Sequence, residues 1–193
     1  ARAEDGSEAV IKLVPKAPGA RRELLFEELS GLPNIIPILD SGEWGDNYVI
    51  VMPRATMSLR QHLQTSGGKL SFDETLAVLT DVAQGLSALN AEVVHRDLKP
   101  ENIMIAYRAG GDEPIVKVLD FGIAKLLGQE NDTSNSTGLL FGTPAYMSPE
   151  QCRGDMAALG AATDIYALGC MLYEMICGQL PYPSNVPQEM VRM

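Results

Sequence analysis

Long hydrophobic runs are missing from this chain of 193 residues. No stretch approaches the roughly 18 uncharged apolar residues that would read as a membrane-spanning helix, so no membrane contact is expected within it. The opening residues Ala1-Arg2-Ala3-Glu4-Asp5 lack the apolar core of a secretory signal. Cysteine is scarce. Cys152, Cys170 and Cys177 are the three present, with neither the even count nor the density of a disulfide framework. The expected location is therefore the reducing cytoplasm, with the chain either free there or the cytosolic part of a membrane-anchored parent. Positive charge is in deficit: 15 Lys and Arg stand against 25 Asp and Glu, for a formal net charge of −10. Such a surface repels nucleic acid and anionic lipid, so neither is an expected partner. Internal repeats and long low-complexity tracts are absent as well.

What is present suits a real core. Hydrophobic residues make up 46% and charged residues 21%, as in soluble domains, and the length suits one large domain or two small lobes. Ala9 to Val14, Ile35 to Leu39 and Tyr48 to Met52 are β-rich and bounded by Gly, Pro or Asp. Arg21 to Leu29 has helical composition, stopped near Gly31 and Pro33. Gln64 to Lys69 reads as a loop. Ser71-Phe72-Asp73-Glu74 matches a capping box, followed by Leu76, Leu79, Val82, Ala83, Leu86 and Leu89 at helical spacing. Ile103 to Ile105 and Val116 to Leu119 read as short strands flanking the loop Arg108 to Asp112. A second helix is expected with Thr163 as N-cap, with Ile165, Leu168, Leu172 and Ile176 inward, ending at Gly178. The sum is an α+β chain, β-rich first and mainly helical afterwards.

The chemistry concentrates in Val94-His95-Arg96-Asp97-Leu98-Lys99-Pro100-Glu101-Asn102. It offers a carboxylate, a lysine two positions on and an amide five positions on. Leu119-Asp120-Phe121-Gly122 then places another carboxylate at the end of an apolar strand, before a glycine that permits a sharp turn. A carboxylate and an amide together supply hard oxygen ligands that suit Mg²⁺ better than zinc or iron. A second carboxylate outside that pair could hold a hydroxyl and take its proton. Singly, each of these residues is as readily a surface charge or a turn residue.

Together they resemble the protein-kinase family, with His95-Arg96-Asp97 to Asn102 as the catalytic loop and Asp120-Phe121-Gly122 as the metal-binding turn. The resemblance extends over nearly the whole chain. Gly142-Thr143-Pro144-Ala145-Tyr146-Met147-Ser148-Pro149-Glu150 is similar to the end of the activation loop, and Ala9-Val10-Ile11-Lys12 stands where the family has its strand lysine. Asp164 matches the buried helix aspartate that steadies the catalytic loop. The resemblance implies a bilobal fold incomplete at both ends: a partial N-lobe over 1–52, a hinge at 53–56 and a partial C-lobe over 57–193. It implies ATP and Mg²⁺ as cofactors and protein Ser/Thr hydroxyls as substrates. Asp97 would accept the hydroxyl proton. Asn102 and Asp120 would hold Mg²⁺, Lys12 would grip the α- and β-phosphates, and Lys99 would contact the γ-phosphate with Thr143 beside Asp97. Lys99, followed by Pro100-Glu101-Asn102, resembles the serine/threonine branch. The flavour of Gly142 to Gly154, with Ser148-Pro149-Glu150-Gln151, is similar to bacterial members.

By the same resemblance Met52 falls at the gatekeeper position, the backbone near Arg54 and Ala55 meets adenine, and Val10 and Met104 sandwich the ring. Each of these apolar residues could equally be plain core, and Pro53 lacks an N–H donor. Arg96 would pair with an activation-loop phosphate, with Thr137 the first candidate and Ser136, Ser134 and Thr133 behind it. The family departs from this chain in two places. No glycine-rich loop precedes Lys12, and the chain stops at Met193 soon after the Thr163 helix. By the resemblance, the helix carboxylate that pairs with Lys12 would be Glu23, with Glu27 as the alternative. Beside an active kinase stand two other readings: a pseudokinase or regulatory nucleotide-binding module, should the glycine-rich loop be truly absent, and a kinase-like small-molecule phosphotransferase.

Overall fold

The structure, a computed structural model, describes residues 8–16, 31–89, 94–107, 114–119 and 144–182. The expected helix at residues 21–29 with Glu23 and Glu27, the loop at 108–112, and the span from Asp120 to Thr143 lie outside them. Three antiparallel strands form the first sheet: β1 (Ala9–Pro15), β2 (Asp40–Trp44) and β3 (Asn47–Pro53), in the order β1-β3-β2. Val10 pairs with Met52, Lys12 with Ile50 and Val14 with Tyr48. Directly paired residues project to the same face, so Lys12 shares a face with Val10 and Met52. The second sheet joins β4 (Met57–Ser58), β5 (Ile103–Tyr107) and β6 (Pro114–Val118), in that order.

Helices dominate the rest: α1 (Leu59–Thr65), α2 (Phe72–Ser87), α3 (Pro149–Arg153) and α4 (Ala161–Cys177). One core gathers Leu59 and Leu63 of α1, Val78 and Val82 of α2, the inner residues of β5 and β6, and Met171 and Met175 of α4. A smaller cluster of Val14, Ile36, Ile50 and Met52 lies under the first sheet, with Met104 and Leu119 packed against it.

Local chemistry explains these elements. The capping box expected at Ser71 forms: the Ser71 hydroxyl accepts from the Glu74 N–H, and the Glu74 carboxylate accepts from the Ser71 N–H at 3.0 Å. Ser58 and Gln61 build the same device for α1, and Ser148 and Gln151 for α3. Gly178 ends α4 in the left-handed conformation, as expected.

Four expectations need correction. The segment 35–39 is not a strand, because Pro37 lacks the N–H a ladder needs; Ile35 makes an isolated parallel bridge to Val118, and the strand starts at Asp40. Gln64 and Thr65 belong to α1, so the loop starts later. The buried stripe of α2 is Thr75, Val78, Val82 and Gly85, while Leu76 is exposed. Thr163 is the third residue of α4, whose N-cap is Gly160, and the inward residues are Thr163, Asp164, Ala167, Cys170, Met171, Glu174 and Met175. Ile165, Leu172 and Ile176 are exposed. In both helices the inner face carries small or polar residues, which hydropathy discounts.

Gly85 shows why. A Cβ there would lie 2.9 Å from the Asn34 carbonyl oxygen. That carbonyl accepts from the Val118 N–H, and the Asn34 side chain donates to the Val116 carbonyl. Gly85→Ala would gain about 0.5–1 kcal/mol of helix propensity but lose about 1–3 kcal/mol to overpacking. The urea midpoint is expected to fall, and an unchanged or higher midpoint would show that Asn34 yields freely.

Candidate active site

The segment from His95 to Asn102 crosses between α2 and β5 and is held from below. Asp164, near the start of α4 and buried, accepts the His95 N–H at 2.8 Å on one carboxylate oxygen and the Arg96 N–H at 2.9 Å on the other. Arg96 adopts a left-handed backbone with φ 64°, a conformation that costs a non-glycine residue about 1–3 kcal/mol unless its surroundings enforce it. Its carbonyl accepts from the Gln151 side-chain amide at 2.7 Å. Among the described residues the buried Nε and Nη1 atoms of Arg96 find no hydrogen-bond partner, an arrangement that favours an anion.

His95 is fully buried. Its Nδ1 accepts the Asp97 N–H, so the proton sits on Nε2, which donates to the Leu119 carbonyl at 3.0 Å. Leu119 also donates its N–H to the Asn102 carbonyl at 2.8 Å. The residue before Asp120 is thereby fixed against the loop, while Asp120 itself lies outside the described residues.

Two polar side chains, those of Lys99 and Asn102, converge on Asp97. Lys99 Nζ lies 3.0 Å from Asp97 Oδ2. Asn102 Nδ2 donates to the Asp97 carbonyl at 2.8 Å and to Oδ2 at 3.1 Å. A three-residue 3₁₀ turn, Pro100–Asn102, brings the amide back to the carboxylate. With its NH₂ engaged by Asp97, Asn102 presents Oδ1, a hard oxygen of the kind Mg²⁺ takes. Among the described residues no group of three or more His, Cys, Asp or Glu side chains is placed to hold a metal ion.

Beside this cluster opens a cavity of about 480 Å³ between the two sheets. Val10, Met52, Arg54, Ala55 and Met104 line it, together with Ile36, Glu101 and Leu119. In the segment joining β3 to β4, Arg54 N–H donates to the Glu8 carbonyl and Thr56 N–H to the Ile105 carbonyl, and Pro53 has no N–H. Lys12 shares the cavity-facing side of β1 with Val10. Glu23, Glu27, Asp120 and Thr143, also singled out from the sequence, lie outside the described residues.

Residues not singled out from the sequence brace the site. Arg60 on α1 donates to Glu101 at 2.8 Å and to Glu174 of α4 at 2.6 Å, and contacts the Tyr146 hydroxyl, which itself donates to Glu174. Burial works against the charge of Arg60, but the Glu174 and Glu101 carboxylates outweigh it and hold the guanidinium above the ordinary arginine range. Burial, reinforced by the bond to Glu174, pushes the Tyr146 phenol well up, so it stays a donor. The Ser58-x-x-Gln61 capping signature was the available sign of α1, the helix that carries Arg60.

Comparison with known proteins agrees with this arrangement. A model of the family described as "Protein kinase domain" matches residues 3–193. The chain is 39% identical over 172 residues to the "Probable serine/threonine-protein kinase pknA2" of Bifidobacterium longum, covering 89% of this chain and 22% of that protein. It is 42% identical over 159 residues to the "Serine/threonine-protein kinase pkn3" of Myxococcus xanthus, 79% of this chain and 28% of that protein. To the "Serine/threonine-protein kinase PrkC" of Bacillus subtilis it is 37% identical over 167 residues, 86% of this chain and 24% of that protein. The chain thus spans about a quarter of the length of these curated relatives. No helix among the described residues is long and apolar enough to cross a membrane. With a catalytic-type loop braced by Asp164, a cavity beside it and a family match from residue 3 to residue 193, the chain belongs to the protein kinase family.

Proposed function

We propose that the protein containing this chain is a serine/threonine protein kinase that transfers the γ-phosphoryl group of ATP to Ser and Thr hydroxyls of other proteins. The observation that carries the reading is the convergence of Lys99 and Asn102 on Asp97 within 3.1 Å. Asp97 is the base: it orients the substrate hydroxyl and takes its proton as the oxygen attacks. Lys99 offsets the negative charge at that carboxylate and reaches toward the γ-phosphate. Asn102 turns its carbonyl oxygen outward because its NH₂ is held by Asp97, and Asp120 follows Leu119, which the loop fixes. Those two residues would hold Mg²⁺, which when bound neutralises phosphate charge. Val10, Met52 and Met104 offer apolar walls to the adenine, with the Ala55 amide as donor, and Lys12 faces the same side for the phosphates. Either Glu23 or Glu27 is its carboxylate partner, and Thr143 stands beside Asp97 in this reading. The names of the relatives support the serine/threonine choice, as does Lys99.

The test uses the full-length protein with radiolabelled ATP, Mg²⁺ and casein. Phosphoserine and phosphothreonine are expected, without phosphotyrosine, and chelating the metal should abolish the label. ATP binding with no transfer to any hydroxyl would replace this reading with that of a nucleotide-binding module.

A further inference from the structure

Two grips on the peptide groups of Arg96 are linked to each other. Asp164 holds the N–H, and the Gln151 side chain holds the carbonyl. Glu150, beside Gln151, accepts from the Thr163 hydroxyl at 2.8 Å, and Thr163 is the neighbour of Asp164. The contacts close a ring: Arg96 to Asp164, Thr163 to Glu150, Gln151 back to Arg96. Gln151 has a second task, since its Oε1 accepts the Ser148 N–H at 3.0 Å in the capping box of α3. An acceptor on one side and a donor on the other fix which way its amide points. One side chain therefore joins the start of α3 to the strained residue immediately before Asp97.

We propose that Gln151 is a positioning residue, holding the left-handed turn at Arg96 and so the direction in which Asp97 presents its carboxylate. The catalytic consequence rests on the phosphotransfer reading above; the effect on the loop does not. Without the Gln151 donor, the Arg96 carbonyl loses the contact opposing Asp164, and the peptide between Arg96 and Asp97 is free to rotate. Small misplacements of a reacting group are costly, up to about a hundredfold in rate.

Two variants of the full-length protein separate the tasks of Gln151. Gln151→Glu keeps an oxygen for the Ser148 N–H, and Glu is as good as Gln in a capping box, but it cannot donate to Arg96. Gln151→Ala loses both bonds. For Gln151→Glu the expected result is a fall in kcat of about ten- to a hundredfold, with the KM for ATP within about twofold and a melting temperature lowered less than in Gln151→Ala, because the capping bond survives. Amide hydrogen exchange should quicken at residues 96–99 and stay unchanged in α3. Gln151→Ala should show the same loss of kcat together with a lower melting temperature. Parental exchange at 96–99 in Gln151→Glu would overturn the proposal, as would faster exchange throughout the domain, the mark of a merely structural role. Failure of the parent to transfer phosphate would instead remove the kinase reading, and the exchange measurement would still decide whether Gln151 holds the loop.

Discussion

Replacing Asp97 by Asn is expected to lower phosphoryl transfer to protein by about 10²–10⁴-fold, the usual worth of a positioned base, while leaving ATP binding nearly unchanged. The substitution preserves volume. The Asn oxygen can still accept from Lys99 and Asn102, both of which aim donors at Oδ2, so the turn that carries Asn102 survives. What disappears is the ability to take a proton. Transfer assays and equilibrium dialysis with ATP, on parent and variant side by side, check both halves. Equal transfer by the two proteins would refute the assignment of Asp97 as base. Weakened ATP binding with normal turnover at saturation would make Asp97 a binding group instead.

The second large effect is expected at Asp164. Its carboxylate accepts two backbone N–H groups from the loop, and the residue is buried. In Asp164→Ala both donors lose their partner in a place water hardly reaches. A buried unsatisfied donor costs about 1–3 kcal/mol, so the variant should lose about 2–6 kcal/mol and a corresponding part of its denaturant midpoint. Activity should fall further than stability explains, because among the described residues Arg96 then keeps only the Gln151 contact to hold its left-handed backbone. Denaturant melts and turnover, both measured well below the unfolding midpoint, separate the two contributions. A parental midpoint would mean that the loop is held by other bonds and that the Asp164 contacts carry little energy.

Much of the site could be read before any coordinates, for a physical reason. Asp97, Lys99 and Asn102 lie within six consecutive residues, and a single 3₁₀ turn suffices to bring the amide and the ammonium onto the carboxylate. Local spacing determines local geometry there. The capping box at Ser71 and the glycine stop at Gly178 were legible on the same ground, since each uses only neighbouring backbone groups. The Arg60 network was not legible. Its members are Arg60, Glu101, Tyr146 and Glu174, and the bonds from Arg60 span 41 to 114 residues.

The helix faces failed for a related reason. Hydropathy assigns the inward side of α4 to Ile165, Leu172 and Ile176, but those residues are exposed, and the buried side carries Thr163, Asp164 and Glu174. A helix that places hydrogen-bonding groups beneath the 95–102 loop must bury polar residues, and an apolar-pattern reading then points the wrong way. Gly85 is similar: it sits inside α2 because Asn34 passes within 2.9 Å of where a Cβ would stand.

By itself, then, the sequence determined the capping box at Ser71, the glycine stop at Gly178 and the cluster around Asp97, all of which depend on contacts between near neighbours. Tertiary structure alone decided the inward face of each helix, the ring from Arg96 through Asp164 and Gln151, and the union of Arg60 with two distant glutamates. Those outcomes depend on which buried polar groups meet across the core, and each partner is set by packing between elements far apart in the chain.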